Sequence, residues 1–157
     1  MKFILIDRIT EIQPGESIKA TKCLSLAEEY LQDHFPRFPV MPGVLMLEAM
    51  TQTCAWLVRV TEDFSHSVVI LQEARNVKYA DFVEPGGVLE VSATMMKHED
   101  KISKFKVQGV VDGNVAVSAR ITLQRYNVSG DALPNSTDML AINKLRQQLK
   151  LLKPPAF

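Results

Sequence analysis

Apolar and polar residues alternate along the second half of the chain, a pattern typical of β-strands that bury one face. Three stretches show it most clearly, residues 88–97, 103–111 and 115–125. The positions predicted to face inward are Leu89, Val91, Ala93, Met95, Phe105, Val107, Val111, Val115, Val117, Ala119, Ile121 and Leu123. Asp112-Gly113 joins the last two stretches and is a strong hairpin signal. We therefore expect antiparallel strands with one buried face.

Further strands are predicted on either side of the chain's middle. Residues 3–13 and 17–24 flank Pro14-Gly15, a dipeptide that suits a tight turn, and this predicts a β-hairpin. Residues 67–79 read as one long bent strand that ends before the break at 84–87. Between the hairpin and the middle of the chain, residues 25–32 predict a short helical turn capped by Ser25, with Glu28 completing a capping box.

The middle of the chain predicts a buried helix from Gly43 to about Val60. Prolines at 36, 39 and 42 make the approach to it ordered and non-helical. Apolar residues cover nearly the whole circumference of this helix, which is typical of a helix enclosed by other elements. The fold class is therefore α+β, an antiparallel sheet wrapped around a long central helix.

The last part of the chain, residues 127–157, predicts a linker followed by a helix. Gly130, Pro134 and Asn135 mark a linker, and Ser136 or Thr137 is the expected cap of a helix from about 138 to 152. Its predicted apolar stripe consists of Met139, Leu140, Ile142, Leu145 and Leu149. We divide the chain into a domain at 1–126 and a linker with a C-terminal helical extension at 127–157. The pattern leaves open whether this helix docks on its own domain or on another subunit.

Composition narrows the function classes. The 157 residues carry 18 basic and 18 acidic side chains, so no overall field favours nucleic acid. The most apolar stretch, 44–60, is interrupted by Glu48, Gln52 and Arg59, which argues against a membrane span. With no signal peptide at the start, we expect a cytoplasmic protein whose Cys23 and Cys54 are buried, reduced thiols. No residues have metal-ligand spacing, and no phosphate loop is present, so neither a metal nor a cofactor is expected.

Four residues carry the candidate chemistry. Glu48 stands among apolar residues of the buried helix, and desolvation is expected to raise its pKa and make it a proton donor. His34 is a natural proton acceptor near neutral pH. Gly43 and the adjoining Val44 present backbone N–H groups at the start of the helix, where a developing oxyanion is favoured. A base, an acid and an oxyanion hole suit proton abstraction α to a carbonyl followed by loss of a β-hydroxyl.

The spacing of the acid and the base suggests two subunits. Nine residues separate His34 from Gly43, and a straight run of that length reaches up to about 30 Å. If the segment is straight, His34 cannot lie beside the Glu48 of its own helix. We therefore hypothesise that the pair meets across a two-fold interface.

The segment from His34 to Gln52, with the pattern HFPxxPVMPGVLxxEAMxQ, resembles the signature of 3-hydroxyacyl-acyl-carrier-protein dehydratases of the FabZ/FabA type. Flanking matches lie at 5–8, 76–78 and 85–86, so the resemblance covers about residues 3–125, and the glutamate at 48 places it nearer FabZ. It implies a hot-dog fold, a dimer and often a trimer of dimers. It also implies that His34 abstracts the α-proton, that Glu48 of the other subunit protonates the departing hydroxyl, and that the Gly43 N–H holds the thioester carbonyl. The residues expected along the acyl tunnel are Phe35, Pro42, Gln52 and Ile70, the last where relatives have a gating tyrosine.

The expected partners are a thioester of acyl-carrier protein or coenzyme A and further copies of the chain. Basic residues at 75, 78, 97, 101, 104 and 106 are compatible either with docking an acidic carrier protein or with a solvated strand face. Two other functions remain open at this point. One is a hot-dog thioesterase, and the other is a non-catalytic module that binds acyl chains or their carrier.

Overall fold

A computed structural model describes residues 3–154 as an antiparallel sheet curved around one long helix, with a second helix packed beside it. The elements are β1 (Arg8–Gln13), β2 (Ser17–Cys23), a 3-10 helix (Glu29–Gln32), α1 (Gly43–Thr61), β3 (Val68–Tyr79), β4 (Val88–His98), β5 (Ile102–Val111), β6 (Asn114–Tyr126) and α2 (Ser136–Leu152). Within these described residues the sheet has six strands in the order β1-β2-β4-β5-β6-β3. The predicted α+β architecture is confirmed.

Helix α1 is the centre of the core. Ten of its residues are buried, and the helix contacts β2, β3, β4, β5 and β6. The inner faces of the strands supply the remaining apolar contacts, for example Leu89, Phe105 and Ile121. The near-complete apolar circumference seen in the sequence is therefore explained by enclosure in the sheet.

The two predicted hairpins are confirmed. Gly15 has φ of 77° in the turn between β1 and β2, a region that glycine enters without steric cost. Asp112 and Gly113 have φ of 49° and 81°, the two positive values that a two-residue type I′ turn requires. Strand β1 begins at Arg8 and not at residue 3, because the Leu5 amide donates to the Gln52 side chain of α1 (2.9 Å) instead of to a neighbouring strand.

Strand β3 is the long bent strand that the sequence predicts. Its pairing with β6 shifts register between Leu71 and Glu73 and again between Arg75 and Lys78. Within residues 3–154, strand β3 lies at one end of the strand order and pairs with β6 alone, so one of its edges is open. Ile70, Leu71 and Tyr79 are exposed along this strand. An open edge with exposed apolar side chains is a surface that proteins commonly pair or cover.

Three local expectations are wrong. Val115 is 43% exposed, because the register between β5 and β6 shifts next to Gly109 and turns Ala116 and Val117 inward. Residues 29–32 form a 3-10 helix without a capping box, since the Glu28 carboxylate pairs with Lys22 at 2.5 Å. Cys23 is exposed because it points outward from β2, whereas Cys54 is buried and burial raises the pKa of its thiol.

Helix α2 packs against the same core as the sheet. Ile142 is 2% exposed and Leu152 is buried with it, whereas Met139 and Leu140 of the predicted stripe are exposed. The cap is Asn135 and not Ser136 or Thr137. Its side chain accepts a hydrogen bond from the Asp138 N–H (2.9 Å), and the Asp138 carboxylate accepts one from the Asn135 N–H (3.1 Å), which completes a capping box.

Asp138 joins α2 to the sheet through a buried carboxylate. It accepts hydrogen bonds from the Ser67 hydroxyl (2.5 Å) and from the N–H groups of Val128 (2.7 Å) and Ser129 (3.2 Å). Burial opposes its ionisation, but these hydrogen bonds and the one at Asn135 outweigh burial and hold the pKa of Asp138 well below its usual range.

A second buried polar contact closes the C-terminal end of α1. Arg125, which is 4% exposed, forms an ion pair with Glu62 at 2.9 Å and donates to Ser103 (2.7 Å) and to the carbonyl of Glu99. Arg146 of α2 pairs with Asp63 one residue further on (3.2 Å). The end of α1, the sheet and α2 are therefore held together by charge as well as by apolar packing. No helix within residues 3–154 has the length and apolar character needed to cross a bilayer.

Candidate active site

His34 is held by the loop that precedes α1. Its carbonyl accepts from the Val40 N–H (3.1 Å), and its own Nδ1 lies 2.9 Å from the Val40 carbonyl. The imidazole stacks on Phe35 with ring centroids 4.3 Å apart. Val40 is buried, and the next residue, Met41, donates to the Val83 carbonyl, so the loop is anchored on the body of the protein.

The loop fixes the tautomer of His34. A backbone carbonyl can only accept a hydrogen bond, so the Nδ1 that faces Val40 must carry the proton. Nε2 then keeps its lone pair and is free to take up a proton. This arrangement is the one by which histidine bases are oriented in enzymes.

The start of α1 offers unsatisfied N–H groups. The first turn of any helix leaves N–H groups without a partner inside the helix, and Pro42, the N-cap here, provides no side-chain cap. A Cβ at Gly43 would lie 2.9 Å from the Tyr79 ring, so the close approach of Tyr79 requires glycine at this position. Val44 beside it is 70% exposed. The helix end is thus open to an incoming carbonyl oxygen.

Glu48 is oriented by Gln52 one turn along the helix. The Gln52 Nε2 donates to the Glu48 carboxylate (3.1 Å) and to the Phe3 carbonyl (3.0 Å), while its Oε1 accepts from the Leu5 N–H. These partners identify which atom of the Gln52 amide is the oxygen and which is the nitrogen. Gln52 therefore ties the acid to the N-terminal segment. Glu48 itself is only partly buried in the single chain.

Glu48 opens into a cavity of about 430 Å³, which we call the Glu48 cleft. It is bounded by α1, the first half of β3, the N-terminal segment and α2. The lining residues are Phe3, Ile4, Glu48, Thr51, Gln52, Ala55, Trp56, Arg59, Val69, Ile70, Leu71, Leu145 and Gln148. Eight of its thirteen lining residues are apolar, although polar and apolar atoms contribute about equally to its surface, so the cleft offers contacts to an apolar chain and to polar groups.

The structure divides the predicted site residues into two groups. Gln52 and Ile70 line the Glu48 cleft. Phe35 and Pro42 lie instead beside His34 and Gly43, at the loop and the helix start. His34 is not part of the cleft lining, and no hydrogen bond joins it to Glu48 within the described chain.

The loop from residue 34 to 40 is not the straight run considered from the sequence. Phe35 and Phe38 exchange backbone hydrogen bonds, and Val40 returns to His34, so the segment folds back on itself. The nine-residue spacing of His34 and Gly43 therefore does not by itself keep His34 away from the Glu48 of its own chain. What remains is the observation that His34 and the Glu48 cleft are separate in one chain.

Three residues near the site were missed from the sequence. Tyr79 covers Gly43, and Trp56 and Arg59 line the Glu48 cleft. The sequence does indicate where Arg59 lies, because residues 48, 52 and 59 fall on one face of a helix with 3.6 residues per turn. Among the described residues no group of three or more His, Cys, Asp or Glu side chains is arranged to hold a metal ion.

The basic residues lie mostly on the outer face of the sheet. Lys106 and Arg120 face each other across β5 and β6, next to Arg75 and Lys78 of β3. This face is opposite the one that packs on α1, because neighbouring residues in the strands alternate between buried and exposed. Docking of an acidic carrier here stays a prediction.

Comparison with known proteins identifies the family. A family model described as a FabA-like domain matches residues 1–120. A 3-hydroxyacyl-[acyl-carrier-protein] dehydratase FabZ of Lactobacillus helveticus is 39% identical over 119 residues, which cover 76% of this chain and 80% of that protein. The enzyme of the same name from Polynucleobacter asymbioticus is 40% identical over 120 residues, with the same coverage.

Solved structures agree on the fold. The chain is similar to the dehydratase heterocomplex ApeI:P from Xenorhabdus doucetiae, with a TM-score of 0.65, 16% identity and coverage of 89% of both chains. It is also similar to a mutant thioesterase from Pseudomonas aeruginosa, with a TM-score of 0.60, 16% identity and coverage of 76% of this chain and 80% of that one. At such identities the likeness concerns the fold alone, and the predicted hot-dog fold is confirmed. With a family model matched over residues 1–120 and relatives near 40% identity, this chain belongs to the FabA-like family and is of the FabZ type.

Proposed function

We propose that this protein dehydrates 3-hydroxyacyl thioesters of acyl-carrier protein to trans-2-enoyl thioesters in fatty-acid biosynthesis. The observation that carries the proposal is His34, whose Nδ1 is engaged by Val40 and whose Nε2 is therefore a free base. The FabZ relatives, whose names state this activity, support it.

The chemistry follows from three positions. The thioester carbonyl accepts hydrogen bonds from the N–H groups at the start of α1, at Gly43 and Val44, which stabilise the enolate-like charge that develops on its oxygen. The Nε2 of His34 removes the α-proton. The carboxylic acid of Glu48 protonates the 3-hydroxyl, the carbon–oxygen bond breaks, and water leaves as the double bond forms. Return of a proton from the imidazolium to the carboxylate restores both groups.

We propose that the site is shared between two copies of the chain. Glu48 needs a base beside it, and His34 of its own chain does not line the cleft. The open edge of β3 and the exposed Phe35 and Phe38 give the second copy an apolar surface to cover. Glu48 would then meet His34 of the partner subunit. Assembly of three such dimers, and a cytoplasmic location, complete the proposal.

The reaction is tested with a purified 3-hydroxyacyl thioester. Enoyl product detected by its ultraviolet absorbance, without release of free thiol, is the expected result. Release of free thiol without enoyl product would favour a thioesterase and overturn the proposal. Binding without turnover would leave only an acyl or carrier-binding module. The His34→Ala protein should bind the substrate but lose dehydration.

The shared site is tested by subunit mixing. In a dimer of one His34→Ala chain and one Glu48→Gln chain, one of the two sites keeps both groups. We therefore expect activity to reappear when the two inactive proteins are mixed and verified as mixed dimers. Lack of any recovery in verified mixed dimers would contradict sharing, while light scattering reports whether dimers or larger assemblies form.

A further inference from the structure

The Glu48 cleft contains a cation that the dehydration chemistry does not use. Arg59 lines it, and its guanidinium lies over the Trp56 ring, 5.0 Å from the centroid. The Nε of Arg59 is buried and has no hydrogen-bond partner within residues 3–154. Burial lowers the pKa of Arg59 to about 10, partly opposed by the charge of Glu62, so the group remains charged at neutral pH. A buried donor without a partner is costly to maintain.

Arg59 lies on the same side of α1 as Glu48. Eleven residues separate Glu48 from Arg59, which is about three helical turns, so both side chains leave α1 within about 20° of each other. The same geometry places them about 16 Å apart along the helix axis. A chain bound at Glu48 that follows the cleft along α1 therefore reaches Arg59 with its far end.

The wall opposite this end comes from α2. Leu145 and Gln148 line the cleft, and both lie beyond residue 120, where the match to the family model ends. Gln148 is a further polar lining residue, whereas Val69, Ile70 and Leu71 contribute apolar side chains from β3. The cleft thus combines apolar side chains with the Glu48 carboxylate and, about 16 Å further along α1, the Arg59 guanidinium.

We propose that Arg59 is the distal recognition group of the acyl cleft and that the protein selects 3-hydroxyacyl thioesters whose far end carries a carboxylate over those that end in a methyl group. This inference rests on the proposed dehydratase function and names its substrate class. A guanidinium forms strong, paired hydrogen bonds with a carboxylate, and burial beside Trp56 strengthens them. A methyl end would leave the buried Nε of Arg59 without a partner.

The test uses pairs of 3-hydroxyacyl-N-acetylcysteamine thioesters of equal length, one ending in a carboxylate and the other in a methyl group, over a series of lengths. For the best length, kcat/KM should favour the carboxylate-ended substrate by about tenfold or more. Arg59→Met should reduce that ratio by about tenfold or more, by slowing the carboxylate-ended and accelerating the methyl-ended substrate. Lys144→Met, an exposed change on α2, is the matched control and should leave the ratio unchanged.

Two further measurements keep the test decisive. Gln148→Glu places a competing carboxylate in the cleft and should also lower the ratio. Calorimetric binding of both substrates to the Glu48→Gln protein measures the preference without turnover. Because removing a poorly compensated buried charge is often neutral or stabilising, Arg59→Met should retain the wild-type melting temperature or exceed it.

The outcomes separate this inference from the proposed function. Equal use of both substrates by the wild type, or a preference for the methyl end, overturns the inference and leaves dehydration intact. A destabilised Arg59→Met protein with an unchanged kcat/KM ratio also overturns the inference. The same holds for an Arg59 effect that does not depend on the acyl end and appears only with thioesters of a phosphate-bearing carrier. If no thioester is dehydrated by the folded protein, the proposed function fails instead.

Discussion

Replacement of Gln52 by leucine tests the link between the acid and the N-terminal segment. The leucine cannot accept from the Leu5 N–H, which is buried, so that group loses its only side-chain partner at a cost of about 1–3 kcal/mol. The Phe3 carbonyl is exposed and regains water, and Glu48 is partly exposed, so these two losses add little. We expect a total of about 2 kcal/mol, which lowers Tm by about 4–8 °C in a protein of this size.

Urea denaturation followed by the fluorescence of Trp56, the single tryptophan, measures the stability change directly. If Gln52 also positions Glu48, kcat should fall by about tenfold or more with little change in KM, because misplacement of the acid affects the chemical step. Gln147→Leu, on the exposed side of α2, is the matched control and should change neither quantity.

Two results would refute the reasoning. A Gln52→Leu protein of wild-type stability would show that the buried amide of Leu5 finds another partner at no cost. A destabilised protein with wild-type kcat would show that Gln52 anchors the N-terminal segment and does not position the acid.

Three other changes test separate parts of the structure. Arg125→Met removes the arginine that pairs with Glu62 and leaves that carboxylate with His66 at 3.0 Å; it should cost up to about 3–5 kcal/mol in urea denaturation, with the double variant Glu62→Gln, Arg125→Met recovering part of the loss. Folding lowers the pKa of Asp138, so its ionised carboxylate stabilises the folded state fully above the unfolded-state pKa of about 3.9. This stabilisation is lost as the pH falls below that value. Asp138→Asn should therefore be less stable at pH 7 and show a weaker loss of Tm between pH 5 and about 2. Gly43→Ala brings a Cβ to within 2.9 Å of the Tyr79 ring and should lower kcat/KM, and Tyr79→Ala in the same protein should restore part of it if steric displacement is the cause.

The elements whose signals are local could be predicted from the sequence. The turns at Asp112-Gly113 and Pro14-Gly15 follow from the backbone conformations that these residues favour. Helix α1 is predicted by apolar residues around nearly its whole circumference. The site motif was likewise readable, because His34, Gly43 and Glu48 lie within fifteen consecutive residues. Their roles in this chain remain proposals.

Features that depend on distant partners could not be read from the sequence. Asn135, Ser136 and Thr137 are all good helix caps, and the choice of Asn135 follows from where Asp138 meets Ser67 in the folded chain. Val115 faces outward because of a register shift that alternation cannot reveal. Helical spacing places Arg59 on the side of α1 that carries Glu48, but its enclosure by α2 in the cleft depends on tertiary packing.

The C-terminal helix divides the protein into two parts that can change independently. His34, Gly43 and Glu48 all precede residue 120, whereas one wall of the cleft is built by Leu145 and Gln148. Substitutions on that face of α2 can reshape the Glu48 cleft without touching the residues proposed to carry the chemistry. Evolution, or an engineer exchanging tails between relatives, thus has a route to new substrates that leaves the reaction itself alone.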